Sequence, residues 1–281
     1  IMPSLVGSEM CIRDRDGAAD RGGVVMRVAV QSLTVDIATR RGRRPDPVRV
    51  LSDVDLTLEP GAVTALIGES GCGKSMIANA LTGMLPPGSR ATGRIVLGDR
   101  TLTADDPAWP STRGRVVGLV PQSAATSFTP VRTLGDQLDE IIDELSGPSS
   151  ATQLCARAAL PTSALSLYPH EISGGMAQRA ALAAALAGDP PLIVADEPTS
   201  ALDPELAAHV WDLFAGLAAA GTTVLMITHD LDALLAADAC ASIAVMREGR
   251  ILTQDRPDAV TSSADPYVAA FFRPITAGVT R

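Results

Sequence analysis

Aromatic side chains make up only 3% of the 281 residues. The core must therefore be built mainly from Ala, Val, Leu and Ile, which a total apolar share of 46% can supply. That share excludes a chain disordered throughout. Long hydrophobic runs are also missing. The best uncharged stretch, Leu213 to Thr228, is interrupted by Gly216 and Gly221 and falls short of the roughly 20 apolar residues that a membrane helix needs. Any membrane role must then come through a partner. Cysteine is sparse, and Cys11, Cys72, Cys155 and Cys240 have neither metal-ligand nor redox spacing, which reads as a reducing, cytoplasmic compartment. Basic charge is in deficit: 23 Lys and Arg against 32 Asp and Glu give a net charge of −9, which argues against nucleic acid as a partner.

Lysine is scarcer still. Lys74 is the only one in the chain, and every other basic residue is arginine. It stands in Gly68-Glu69-Ser70-Gly71-Cys72-Gly73-Lys74-Ser75, which fits G-x-x-x-x-G-K-[ST]. The run Ala62–Ile67 before it reads as a buried strand and the residues after it as a helix, the context this motif requires. Glycines there let backbone N–H groups curl around phosphate oxygens, and the helix N-terminus adds about half a positive charge. Lys74 is expected to bridge the terminal phosphates and Ser75 to ligate Mg²⁺. The planar arginine fork does not fit where a compact ammonium does.

Alternating patterns along the chain predict strands and helices in turn from Met26, hence an α/β domain with a mainly parallel sheet. Strands are expected at Arg27–Ala38, Val48–Leu58 and Ala62–Ile67, then at Gly93–Leu102, Val116–Val120, Leu192–Ala195 and Thr222–Thr228, with Ser242–Met246 as the last. Helices are expected at 74–84, 134–145, 151–160, 174–187, 204–220 and 231–237, and those between about 123 and 186 read as an inserted helical subdomain. Residues 1–25 lack apolar periodicity and read as a non-native or disordered leader, 26–272 as the domain and 273–281 as a tail.

Pro191 to Glu197 reads as a buried strand ending in two carboxylates. Asp196 at its tip can hold Mg²⁺ through water, and Glu197 can polarise an attacking water. His229 follows the strand Val224–Thr228, at the end where ligands of open α/β sheets bind. His209 reads as an ordinary helix residue and His170 as packing or capping a loop. Ser173-Gly174-Gly175, ahead of an Ala-rich helix, is either an anion-binding nest or a flexible turn with an N-cap serine.

In this order the segments resemble the ATPase subunit of ABC transporters: Walker A at Gly68–Ser75, Gln122 as the Q-loop glutamine, and Ile172-Ser173-Gly174-Gly175-Met176 as the signature. Walker B at Leu192–Asp196 with Glu197, a D-loop at Ser200–Asp203 and the switch histidine His229 complete the set. Gln122 to Gly135, Tyr168-Pro169-His170-Glu171 before the signature, Leu85-Pro86-Pro87-Gly88, and Asp265-Pro266-Tyr267 narrow it to the peptide/nickel group of importers.

The resemblance implies a RecA-like P-loop NTPase core, an N-terminal antiparallel β subdomain and the inserted helical subdomain. It implies ATP and Mg²⁺ as cofactors, Gln122 linking the ion to the helical subdomain, Glu197 as general base and His229 on the γ-phosphate. It also implies two cassettes sandwiching two nucleotides, a membrane permease, and an extracytoplasmic solute-binding protein. Gly68 to Ser75 would face ATP in one subunit and Ser173, Gly174 and Gly175 in the other. An export ATPase and a soluble non-transport ATPase are the rival readings. Family members usually stack an aromatic residue on adenine near the first strands; here the first aromatic is Trp109, so Ile37 or Val48 is expected in its place, with weak selectivity for the base.

Overall fold

The computed structural model describes residues 26–38, 47–236 and 240–272; the leader 1–25, most of the Arg/Pro-rich turn after Ala38, and the tail 273–281 lie outside them. In chain order the first half contains β1 (Val28–Ala38), β2 (Pro47–Leu58), β3 (Val63–Gly68), α1 (Lys74–Leu81), β4 (Arg90–Leu97), β5 (Arg100–Leu102), α2 (Trp109–Thr112) and β6 (Val117–Val120). The helices α3 (Leu134–Leu145), α4 (Ala151–Arg157) and α5 (Gly174–Ala185) follow before β7 (Leu192–Asp196). Then come α6 (Pro204–Ala219), β8 (Thr223–Ile227), α7 (Leu231–Ala236), β9 (Cys240–Arg247), β10 (Arg250–Asp255), α8 (Pro257–Thr261) and α9 (Pro266–Phe272).

Two sheets result. An antiparallel sheet has the order β2-β1-β4-β5, and a larger one runs β10-β9-β3-β8-β7-β6. In the larger sheet every pair from β9 to β6 is parallel, and β10 alone runs antiparallel to its neighbour. Burial on both faces explains the unbroken apolar runs of β3, β7 and β8. Strand alternation sorts them between two cores. Val63, Ala65 and Ile67 face the helical insertion and α6, whereas Leu66 joins α1 and the antiparallel sheet on the other side.

The apolar residues of β1 step from Val30 to Leu33, three positions rather than two, and the structure supplies the reason. Ser32 adopts φ 47°, and the register to both neighbours shifts there, so a bulge restores the inward face. One expectation fails: Ser242–Met246 is not the last strand. The chain reverses at Glu248-Gly249, with φ 47° and 77°, and returns as β10. That strand lies at the sheet edge and is largely half-exposed, so it lacks the apolar run that marks its neighbours. Helix α1 also stops at Leu81, short of Met84, and α4 at Arg157, short of Leu160.

Candidate functional site

Strand β3 delivers a loop whose shape only glycine permits at two points. Gly68 has φ 156°, and a Cβ on it would lie 2.4 Å from the Met246 carbonyl oxygen. Gly73, at φ 111°, would meet Leu51 at 2.8 Å and the Met246 methyl at 2.9 Å. Backbone therefore packs on backbone, and the first N–H groups of α1 are free to face the loop interior. The Gly249 amide donates to the Cys72 carbonyl at 2.9 Å and ties the back of the loop to the β9–β10 turn. Neither Met246 nor Gly249 carries a signal in the sequence, because their role is a contact between segments about 180 residues apart in the chain.

Lys74 is buried, and its ammonium donates to the carbonyl oxygens of Gly68 at 2.7 Å and Glu69 at 2.9 Å. Two carbonyls of its own loop thus hold the charge above the cleft. Cys72 is buried behind it, and desolvation pushes its thiol up, with the nearby Lys74 charge opposing. Alkylation of Cys72 in the folded protein is therefore disfavoured.

Parallel pairing of β7 between β6 and β8 brings the remaining residues to the same sheet end. Asp196 is buried at the tip of β7, and burial raises its carboxyl; a Ser75 hydrogen bond opposes this, Glu197 adds to it, and Lys74 opposes it. Glu197 follows in the left-handed region at φ 49°, with its N–H bonded to the Ile227 carbonyl at 2.9 Å. Such a backbone is uncommon for glutamate and belongs to sites where a side chain must be aimed. One oxygen of its carboxylate accepts from the Gln122 amide at 3.0 Å, and the other lies 3.4 Å from His229 Nδ1. Gln122, Glu197 and His229 therefore form one chain across the ends of three strands. The base of the glutamine segment is held in turn by the buried Gln178 of α5, whose amide donates to the Pro121 carbonyl at 3.5 Å.

The cleft in front of these groups has a volume of about 300 Å³ and reaches from Ser70, Gly71, Gly73, Lys74 and Ser75 to Gln122, Asp196 and Glu197. Val50 closes another wall. The two residues proposed to replace an adenine-stacking aromatic are not on that wall: Val48 and Ile37 pair with each other across β1 and β2. Trp109 is buried beneath Gly83 and donates to the Thr103 carbonyl at 2.9 Å, so it is a core residue.

Ser173, Gly174 and Gly175 are not brought to this cleft. The Ser173 hydroxyl accepts from the Met176 amide at 3.2 Å and caps α5, while Ser173 and Gly174 face solvent. Gly175 packs beside the loop carrying Ala201, whose carbonyl would sit 3.2 Å from a Cβ there. The serine is thus an N-cap, as one of the two candidate descriptions has it. His170 stacks on Tyr168 at 5.7 Å and His209 is exposed on α6, as read from the sequence.

Comparison with known proteins bears on this arrangement. The profile of the family described as ABC transporter matches residues 51–200. A probable peptide ABC transporter ATP-binding protein of Sinorhizobium fredii is 34% identical over 253 residues, covering 85% of this chain and 75% of that protein. The oligopeptide transport ATP-binding protein OppD of Mycobacterium bovis is 37% identical over 229 residues, covering 77% of this chain. The alignment takes in only 37% of that mycobacterial protein's length. Among solved structures, a dimeric ATP-binding cassette in a post-hydrolysis state with ADP and Pi superposes with a TM-score of 0.70, at 26% identity, over 82% of this chain and 98% of that one.

Proposed function

The chain belongs to the ABC transporter family, and on that premise we propose that it is the ATP-hydrolysing subunit of a membrane importer for peptides, nickel or similar small solutes. The observation that carries the reading is the chain from Gln122 through Glu197 to His229 at the mouth of a cleft floored by Lys74. The names of the Sinorhizobium and Mycobacterium relatives support the peptide class.

The chemistry is positioning and electrostatics. Lys74 exchanges the carbonyls of Gly68 and Glu69 for phosphate oxygens of ATP, and the amides from Ser70 to Ser75 take the rest. The Ser75 hydroxyl and the Asp196 carboxylate line the same cleft. With the Gln122 amide they make an all-oxygen donor set, which fits the hard Mg²⁺ ion. That ion, when bound, neutralises charge on the phosphates. Glu197 accepts the proton of the attacking water, its carboxylate held between Gln122 and His229, and His229 turns to the γ-phosphate.

The exposed Ser173-Gly174-Gly175 segment contacts the nucleotide of a second cassette, either another copy or a sister subunit. The other partners we assign are membrane permease subunits and an extracytoplasmic solute-binding protein; nucleic acid is not among them. The chain works as a peripheral subunit at the cytoplasmic face of the membrane, in keeping with the lack, among the described residues, of any helix long and apolar enough to span it.

Purification of the tagged protein from its native membranes in mild detergent, with its companions identified by mass spectrometry, tests the reading. Permease subunits together with a solute-binding protein are the expected result. Permeases alone would move the assignment to export, and exclusively soluble companions would overturn transport.

A further inference from the structure

The Asp265-Pro266-Tyr267 element stands at the start of α9, far from the cleft in sequence, and nothing in the mechanism above uses it. Its three residues serve one geometry. The Asp265 carboxylate accepts from the amides of Tyr267 at 2.8 Å and Val268 at 3.3 Å, which caps the helix. Pro266 occupies the first helical position, where its missing N–H is no loss. Val268 is fully buried and fixes the helix against the core. The start of α9 is therefore pinned, and so is the direction of the next side chain.

That side chain reaches the back of the phosphate loop. Tyr267 donates its hydroxyl to the Met246 carbonyl at 3.3 Å. Its ring is held by Phe271, edge on at 5.2 Å, and by the Arg247 guanidinium at 4.8 Å over its face. The Met246 carbonyl is the same oxygen that leaves no room for a side chain on Gly68, its parallel neighbour in the sheet. Burial raises the Tyr267 phenol, and the backbone of Glu69 nearby pulls against that rise. The hydroxyl thus anchors the end of β9 where it packs on Gly68, whose carbonyl, with that of Glu69, holds Lys74.

We propose that Tyr267 is a positioning residue for the phosphate loop: its hydroxyl holds the Met246 carbonyl against Gly68 and sets the loop's entry, and through it the place of Lys74. The Asp-Pro pair before it serves to aim that hydroxyl. The inference rests on the reading of Gly68–Ser75 as the ATP site. A fold-level role would be served by the ring alone, whereas a positioning role needs the oxygen.

The test compares the full-length protein with Tyr267→Phe, which keeps the ring and removes the hydroxyl. Losing one partly buried hydrogen bond predicts an ATP dissociation constant raised about three- to tenfold. KM for ATP is expected to follow, with kcat within about twofold and the melting temperature little changed. A second readout is independent of turnover. Alkylation of Cys72, followed by peptide mapping, is expected to be several-fold faster in the variant, because the loop that buries the thiol opens more often. Unchanged ATP affinity together with unchanged Cys72 labelling would overturn the inference, as would a fall in kcat and melting temperature at constant affinity. Lys74→Ala run alongside separates the two failures. If it binds ATP as well as the unmodified chain does, the reading of the loop as the ATP site fails and takes the inference with it.

Discussion

The phosphate loop and the Ser173-Gly174-Gly175 segment are chemically alike, since each presents small residues ahead of a helix N-terminus. Their surroundings are opposite. The loop is closed from behind by Met246 and Gly249, and its lysine is buried and held by two carbonyls. The second segment faces solvent, and its serine is engaged in capping α5. One helix start is thus enclosed by its own chain and the other is open. On the function proposed above, one chain supplies a floor for a nucleotide and a roof for its partner's.

The sharpest way to probe that division is Glu197→Gln. It keeps the shape of the cleft and removes the proton acceptor, so hydrolysis is expected to fall by about 10²–10⁴-fold while ATP binding is retained. A steady-state ATPase assay beside a binding titration checks it, and unchanged turnover would remove Glu197 from the reaction. Gly174→Asp attacks the other region. An added carboxylate facing a γ-phosphate is expected to lower hydrolysis about 100-fold, with ATP affinity of the single chain unaffected. A variant that bound ATP more weakly as a monomer would mean that the two segments meet within one chain.

Asp196→Asn gives the smallest effect and concerns stability. Burial holds the Asp196 carboxyl above its ordinary range, so the folded protein binds that proton more tightly than the unfolded chain does. The penalty is then absent below the usual carboxylate range near pH 4 and fully present above the raised pKa. Without magnesium or nucleotide, the Asn variant is expected to be more stable by about 1 kcal/mol near pH 7, and the gain should vanish toward pH 4. Urea unfolding at the two pH values measures it. A variant less stable at neutral pH would show that the carboxylate supports the empty fold.

Much of this was legible in the residues. The glycine spacing, the single lysine and the strand ending in Asp196-Glu197 each carry their chemistry in a short window, and each sits at the expected sheet end. What stayed hidden depends on distant pairing. The role of Met246 needs β9 beside β3, and Val50 reaches the cleft through the pairing of the first two strands. The edge strand β10 lacked the apolar pattern of a buried one. The bulge at Ser32 leaves only a three-residue step from Val30 to Leu33 in the sequence, and its cause lies in the register with the neighbouring strands.

The claim that the site is shared between two cassettes is tested most directly by complementation. Lys74→Ala has an intact roof and no floor; Gly174→Asp has an intact floor and no roof. Each is expected to be inactive alone, and an equal mixture at high concentration to recover about a quarter of the unmodified activity, because half the pairs are mixed and each mixed pair rebuilds one of two sites. Activity near the unmodified level in Gly174→Asp alone, or no recovery in a mixture shown to form mixed pairs, would contradict the account.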